Sequence, residues 1–339
     1  MKFDEMLRGN APHTIIQRAE VCEQQGYDCL WTVESAHNPF FPVVLGASAT
    51  TRLEFGTDIA VAFARSPFSM AQAAWDLQDL SRGRFHLGLG TQVRAHVERR
   101  FSMPFEHPAA RVTDYIRCIH AIWDTYQHGT RPEYEGPFYR FKLINPMFNA
   151  GPIDFKPPPI YLAGVNPRMC RAAGEVAEGF HVHPMHSAAY LREVVLPAID
   201  EGARMRNMRA SDLSLHVPVF VASAPNQMEL DSQILDIRRQ IAFYASTPSY
   251  RRVLEFHGLG ELGPRMSALM RTGETDAMTA LIPDALLDEI AIVAAPADLG
   301  ARLAARYDGL ADRISLYYGA PENFTAQDRE RLIESVRNV

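Results

Sequence analysis

Between Ser66 and Gln92 the chain changes its hydrophobic period, and the change marks off a helix, a turn and a strand. Ala71, Ala74, Leu77 and Leu80 recur every third residue as one apolar stripe, and Ser66-Pro67 supplies an N-cap and a first-turn proline. The spacing predicts a helix over 67–81. Ser81-Arg82-Gly83-Arg84 ends it, because a glycine just past the last periodic residue permits a left-handed cap. Phe85, Leu87 and Leu89 then alternate as a strand does. That strand runs out into Gly88, Gly90 and Thr91, small residues that leave its end open to a flat or phosphorylated ligand.

The same grammar repeats along the chain. Eight short apolar runs read as strands: 1–7, 29–34, 53–62, 84–90, 160–164, 180–183, 213–222 and 313–318. Helical patterns lie between them near 12–25, 40–50, 67–81, 109–127, 167–178 and 188–207. A last one starts at 326, where Thr325 and Asp328 form a capping-box pair. Strands alternating with helices predict a parallel sheet, and eight such units predict an α/β fold of the (β/α)8 TIM-barrel type. The expected organisation is a single domain over 1–339 with two insertions, at about 129–159 and 225–312. The first contains EGPFYRFK and a triple proline, which fits a small hairpin with an extended return. The second is mostly helical and aromatic-rich, as in IAFYASTPSYRRVLEFHG, and is expected to cover the barrel mouth.

Composition narrows the function classes. The 339 residues are 47% hydrophobic and 22% charged, with a formal net charge of -6 and no dense basic cluster, which argues against nucleic-acid or anionic-membrane partners. The longest uncharged stretch, Asn38 to Thr51, carries two prolines and is too short to span a bilayer. Cys22, Cys29, Cys118 and Cys170 lack CxxC spacing, and MKFDEMLRG is acidic where a signal peptide would be basic and then apolar, so a reduced, cytoplasmic protein is expected. Lys2, Lys142 and Lys156 are the only lysines, and none sits at a predicted strand end, which argues against Schiff-base aldolase chemistry.

In a barrel of this kind the site lies at the carboxyl ends of the strands. Glu34 and His37 follow the second strand, where a carboxylate beside an imidazole could fix a tautomer and keep a proton donor near the working pH. Gly90, Thr91 and Gln92 follow the fourth, and Gly164, Val165 and Asn166 the fifth. Asn166-Pro167 reads as a helix start whose free N–H groups favour an anion. His181, His183 and His186 cluster at the sixth strand. His181 and His183 would share one strand face, but with no lysine at a strand end the acid-and-lysine set of metal-dependent barrel hydrolases is missing, and no metal is expected. His183, His186, Tyr244 and Tyr250 are expected to line a mixed polar and aromatic substrate pocket.

Five stretches in order carry a family likeness: GYDCLWTVESAHNPFF, EFGTDIAVAFARSP, SRGRFHLGLGTQV, PIYLAGVNPRMCRAAGEVAEGFHVH and RISLYYG. Together they resemble the luciferase-like monooxygenase superfamily, in its branch of oxidoreductases that use coenzyme F420, a deazaflavin. The resemblance implies hydride transfer between that cofactor and a small organic substrate, with Gly90, Thr91, Gln92, Gly164, Val165 and Asn166 as the cofactor cradle. It implies a bulged third strand with a cis peptide between Asp58 and Ile59 backing the cofactor ring. It also implies an acidic-plus-histidine pair beside the ring, here Glu34 and His37, although two residues separate them in this chain. Relatives of this kind are commonly dimers, so a homodimer is expected. The alternatives are an FMN-dependent monooxygenase on the same fold, a non-redox barrel enzyme, and an idle cofactor-binding protein.

Overall fold

A computed structural model of the chain describes residues 1–7, 14–321 and 324–338. Its centre is a closed barrel of eight parallel strands: β1 (Lys2–Leu7), β2 (Cys29–Thr32), β3 (Glu54–Thr57), β4 (Phe85–Gly90), β5 (Ile160–Gly164), β6 (Gly179–Val182), β7 (Ser214–Ala222) and β8 (Arg313–Leu316). Closure comes from β8, which pairs with β7 through His216↔Arg313 and with β1 through Lys2↔Arg313. Helices α1 (Ile15–Gln25), α2 (Phe40–Ala49), α3 (Pro67–Leu80), α4 (Pro108–His128), α5 (Pro167–Val176), α6 (Leu196–Ala203), α7 (Leu299–Tyr307) and α8 (Ala326–Arg337) ring it. The expected start of the first helix at 12–13 lies outside the described residues. The α3 stripe faces inward as its spacing predicts, with Ala71, Ala74 and Leu77 buried, and the Ser66 hydroxyl accepts from the Ser69 amide at 3.1 Å. Thr325 and Asp328 form the expected capping box of α8.

The main hydrophobic core lies between the outer strand faces and the helices, where Phe85, Leu87 and Leu89 are all fully buried. The inner faces form a separate small apolar cluster of Met6, Cys29, Trp31 and Tyr161. Its large rings fit because inward strand positions across from them are glycine. A Cβ on Gly56 would come within 2.1 Å of the Trp31 ring, one on Gly179 within 2.4 Å of Tyr161, and one on Gly88 within 1.6 Å of the Thr57 carbonyl oxygen. Below this cluster the interior is ionic. Asp4 accepts from Trp31 Nε1 at 2.8 Å and from Arg313 Nε at 2.7 Å, and Arg313 reaches Glu54 at 2.8 Å. Glu54 also takes Lys2 at 2.6 Å and His86 at 3.0 Å, so the acids and cations at this end compensate one another.

The bulge with its Asp58–Ile59 cis peptide and the hairpin of the first insertion are present as expected, and one strand was not foreseen. The third strand is not continuous over 53–62. It stops at Thr57, passes through a cis peptide between Asp58 and Ile59, and resumes as a two-residue strand, Ala60–Val61, paired with β4. The first insertion carries the expected hairpin, Tyr134–Glu135 against Arg140–Phe141. The second is helical, with Gln227–Ala245 the longest piece, but it also contains an unforeseen strand, Ala291–Val293. That strand pairs with the far end of β7 through Phe220↔Ala291. No described helix is long and apolar enough to cross a membrane.

Candidate active site

A cavity of ≈ 810 Å³ opens at the carboxyl ends of the strands, within the size range of cofactor and substrate sites. It brings together most of the residues picked out by sequence. Glu34, Asp58, Ile59, Gly90, Thr91, Gln92, Gly164, Val165, Asn166, His183 and Tyr244 all line it. His37 and His186 do not.

One half of the cavity is backbone and small side chains. Gly90 lies against Ile59, whose side chain a Cβ there would meet at 2.8 Å, and a Cβ on Gly164 would meet Met169 at 2.6 Å. Any larger residue at either place would displace those neighbours or fill the floor of the cleft. Between them Gln92 adopts the left-handed conformation, φ 60°, which costs a non-glycine residue about 1 kcal/mol. Its own Oε1 accepts from the Val93 amide at 2.9 Å and holds the turn. Asn166 has N-cap backbone geometry at the start of α5, yet its side chain accepts nothing from that helix. The amide therefore stays available to the cavity, beside the positive end of a ten-residue helix.

The other half is aromatic and comes partly from the second insertion. Met185 N donates to His183 Nδ1 at 3.1 Å, which leaves the proton of a neutral ring on Nε2, and that nitrogen lies 3.0 Å from the Tyr250 hydroxyl. The His183 ring packs against Tyr244 at 4.5 Å and Tyr250 at 4.4 Å, and the Tyr244 hydroxyl bonds that of Tyr317. Burial pushes the Tyr250 phenol above its ordinary range, with a further push from Tyr317, so it is protonated at neutral pH. Neither lysine nor arginine is among the described lining residues.

Three assignments need correcting. Glu34 is not paired with His37: its carboxylate accepts from the Val61 amide at 2.7 Å and from both terminal nitrogens of Arg65 at 2.8 Å each. It braces the segment after the third strand, held there by a bidentate pair with the guanidinium. His37 itself is exposed on the loop before α2 and is not among the described residues that line the cavity. His186 is buried behind the wall, with Nδ1 2.9 Å from the His183 carbonyl oxygen and Nε2 3.0 Å from the Tyr307 hydroxyl. Burial pulls its pKa down to about 4.

The structure also places one group that the sequence reading passed over, His216. His181 and His216 point into the barrel beneath the cavity, their Nδ1 atoms 2.9 Å apart, and the Asp58 carboxylate lies 3.8 Å from the first and 3.7 Å from the second. His216 Nε2 meets Ser315 Oγ at 2.9 Å, and the Trp31 ring stacks on His216 with centroids 4.9 Å apart. Burial keeps both imidazoles neutral, His181 down at about 3 and His216 well below its ordinary value. A signal was present in the β7 sequence SLHVPVFVA, where His216 interrupts an apolar run at an inward position.

A closed eight-stranded barrel with its cavity at the strand ends, a bulged third strand and a glycine-lined fourth is the class that the fold and site define. The chain belongs to the luciferase-like monooxygenase family, whose model matches residues 2–313. It is 42% identical over 311 residues to the uncharacterized protein Rv1360 of Mycobacterium tuberculosis, covering 91% of this chain and 92% of that one. It is 25% identical over 296 residues to 5,10-methylenetetrahydromethanopterin reductase of Methanolobus tindarius, covering 85% of each. Among solved structures, the coenzyme F420-dependent tetrahydromethanopterin reductase of Methanopyrus kandleri superposes with a TM-score of 0.77 over 99% of this chain and 98% of that one, at 19% identity, which shows a common fold.

Proposed function

We propose that this protein is an F420-dependent oxidoreductase that transfers a hydride between the deazaflavin and a small, uncharged organic substrate bearing a hydroxyl or carbonyl oxygen. The observation that carries the reading is the two-part cavity: a glycine and amide cradle joined to a tyrosine and histidine wall, with no lysine or arginine among its described lining residues to select an anionic substrate. The residues present fit the cofactor. Gly90 and Gly164 leave the floor flat, Asp58 and Ile59 back it, and Asn166 with the N-terminus of α5 offers donors to an anionic tail. Thr91, Gln92 and Val165 complete the proposed cradle. When bound, F420 supplies a two-electron hydride centre at ring carbon 5.

The chain's own part follows from the other wall. His183 Nε2–H is donated to the Tyr250 oxygen, so the Tyr250 hydroxyl proton is turned outward to a substrate oxygen. Held protonated by burial, Tyr250 Oη is the proton donor when a carbonyl is reduced. Tyr244 and the flanking rings orient the substrate and exclude water. His37 is not among the described lining residues and is not given that role.

The test is a calorimetric titration of the purified protein with F420 and with FMN, followed by single-turnover reaction in variants. F420 is expected to bind at least tenfold more tightly, a difference of about 1.4 kcal/mol. Tyr250→Phe is expected to slow the chemical step about 100-fold with cofactor affinity unchanged, and His37→Ala to leave both unchanged. Tighter binding of FMN, with rapid oxygen consumption by the reduced protein, would replace this reading with the monooxygenase one.

A further inference from the structure

A second cavity lies outside the barrel, where the start of α3, the inner side of α4 and the hairpin of the first insertion meet. Its volume is ≈ 300 Å³, at the lower end of ligand sites and about ten waters' worth of space. Phe68, Met103, Ile122 and Phe141 make much of its wall apolar, and Arg65, Arg111 and Arg140 also line it.

Charge decides what such a cavity can hold. Arg65 is paired with Glu34 at 2.8 Å, and Arg140 lies 3.5 Å from Glu135. Arg111 is different. Among the described residues it donates from Nε to the Tyr139 hydroxyl at 2.8 Å and from Nη1 to the Pro104 carbonyl oxygen at 2.6 Å, and it pairs with no carboxylate. Its guanidinium lies over the Phe63 ring at 4.5 Å and the Tyr139 ring at 5.6 Å. Those contacts fix the plane of the group, while its Nη2 edge and its charge stay unanswered. The acid one turn further along α4, Asp114, is already taken. Its oxygens accept from the Tyr134 hydroxyl, and from the Phe138 and Tyr139 amides at 2.8 Å each. Burial holds the Cys118 thiol neutral, pushed up to about 12, so it adds no negative charge to the lining.

The hairpin is fitted to this place. A Cβ on Gly136 would come within 1.7 Å of Asp114 Oδ1, so the turn can close on that carboxylate because residue 136 is glycine. The same attachment brings Tyr139 over Arg111 and sets Phe141 against Phe68, with ring centroids 6.1 Å apart.

We propose that this cavity binds a small monocarboxylate with a flat apolar body, of about ten non-hydrogen atoms in all. The carboxylate takes the open edge of Arg111, and the body lies against Phe68, Phe141, Met103 and Ile122. One unanswered charge matches a monoanion and leaves a phosphate dianion uncompensated. Arg65 lines this cavity and Glu34 lines the large one, and the two side chains are bound to each other. The occupant is therefore a second ligand, one ion pair away from the cofactor and substrate cavity.

The test titrates the full chain calorimetrically with phenylacetate, and with phenylacetamide as its uncharged counterpart. One phenylacetate per chain is expected, with a Kd of about 1 mM or below and phenylacetamide at least about tenfold weaker. Arg111→Gln is expected to weaken phenylacetate at least about tenfold and to leave phenylacetamide within about twofold. Met103→Trp, which fills the cavity from its partly exposed rim, is expected to abolish binding of both, and Arg140→Gln to change neither. Should Arg111→Gln fail to fold, the comparison of acid with amide in the wild type and the Met103→Trp variant carry the test. No binding of phenylacetate up to about 10 mM would overturn the proposal, and so would equal affinities for acid and amide. Undiminished phenylacetate binding in folded Arg111→Gln or Met103→Trp would overturn it as well, by placing the ligand elsewhere. The titration needs no F420, so this result stands or falls apart from the functional reading.

Discussion

Replacing Glu34 by glutamine tests how the cavity rim is held. In the native chain one carboxylate accepts three hydrogen bonds, from the Val61 amide at 2.7 Å and from Arg65 at 2.8 Å twice. Glutamine has a single acceptor oxygen, and its NH₂ group would face the guanidinium, so at least one bond to Arg65 is lost. Charge-assisted hydrogen bonds contribute about 1.5–3 kcal/mol each. Arg65 is 21% exposed, however, and water takes over part of its bonding once the carboxylate is gone. The net cost is about 2 kcal/mol, which multiplies the open population of this segment about 30-fold. Amide hydrogen exchange at Val61 reads that opening directly. Exchange about 30-fold faster in Glu34→Gln is expected, with little added in the Glu34→Gln, Arg65→Gln double variant because the two side chains act as one brace. Protection of Val61 unchanged within threefold, together with a lost single-turnover rate, would refute the brace and return Glu34 to a chemical role.

Two further predictions concern the interior. Gly88→Ala puts a methyl 1.6 Å from the Thr57 carbonyl oxygen and 2.5 Å from His181, neither of which can retreat. A cost above about 3 kcal/mol is expected, and a thermal unfolding midpoint within 2 °C of wild type would show that the barrel interior has slack. His186 has its folded-state pKa lowered to about 4, so the unfolded chain takes up a proton below about pH 6.5 while the native chain does not. The native state therefore loses stability as pH falls from about 6.5 to 4, by about 2 kcal/mol at pH 5 for this residue. Denaturant unfolding at pH 7 and 5 should show that much less pH dependence in His186→Gln, and an equal dependence in both proteins would refute the assignment.

The barrel was legible because its signals are local. The α3 stripe, the Ser66-Pro67 start and the Phe85-Leu87-Leu89 alternation each depend on residues within one turn or strand, and all are present as read except that Leu80, the last residue of the stripe, is exposed. The glycines that line the cavity floor were legible for the same reason. Pairings across the barrel were not. Glu34 finds Arg65, 31 positions away, and His181 finds His216, 35 positions away, and no spacing rule connects either pair. His186 was misplaced because three residues after His183 the chain has already turned behind the wall, toward Tyr307. The strand Ala291–Val293 is three residues long, and without β7 beside it such a run has no reason to be extended.

The ion pair between Asp4 and Arg313 joins positions 309 residues apart, and Arg313 lies on the strand that closes the ring. At about 5–20 residues per second, a ribosome needs roughly 15–60 s to deliver the arginine after the aspartate. For that interval β1 has a free edge, and the nascent chain can form at most a curved open sheet whose interior histidines and Trp31 remain wet. Growth from the amino end thus yields no partial barrel with a finished inside. The floor, the imidazole pair and the cavity above them are completed together, in the last moments of translation, and a ribosome that stalls before Leu316 leaves behind a chain with none of them.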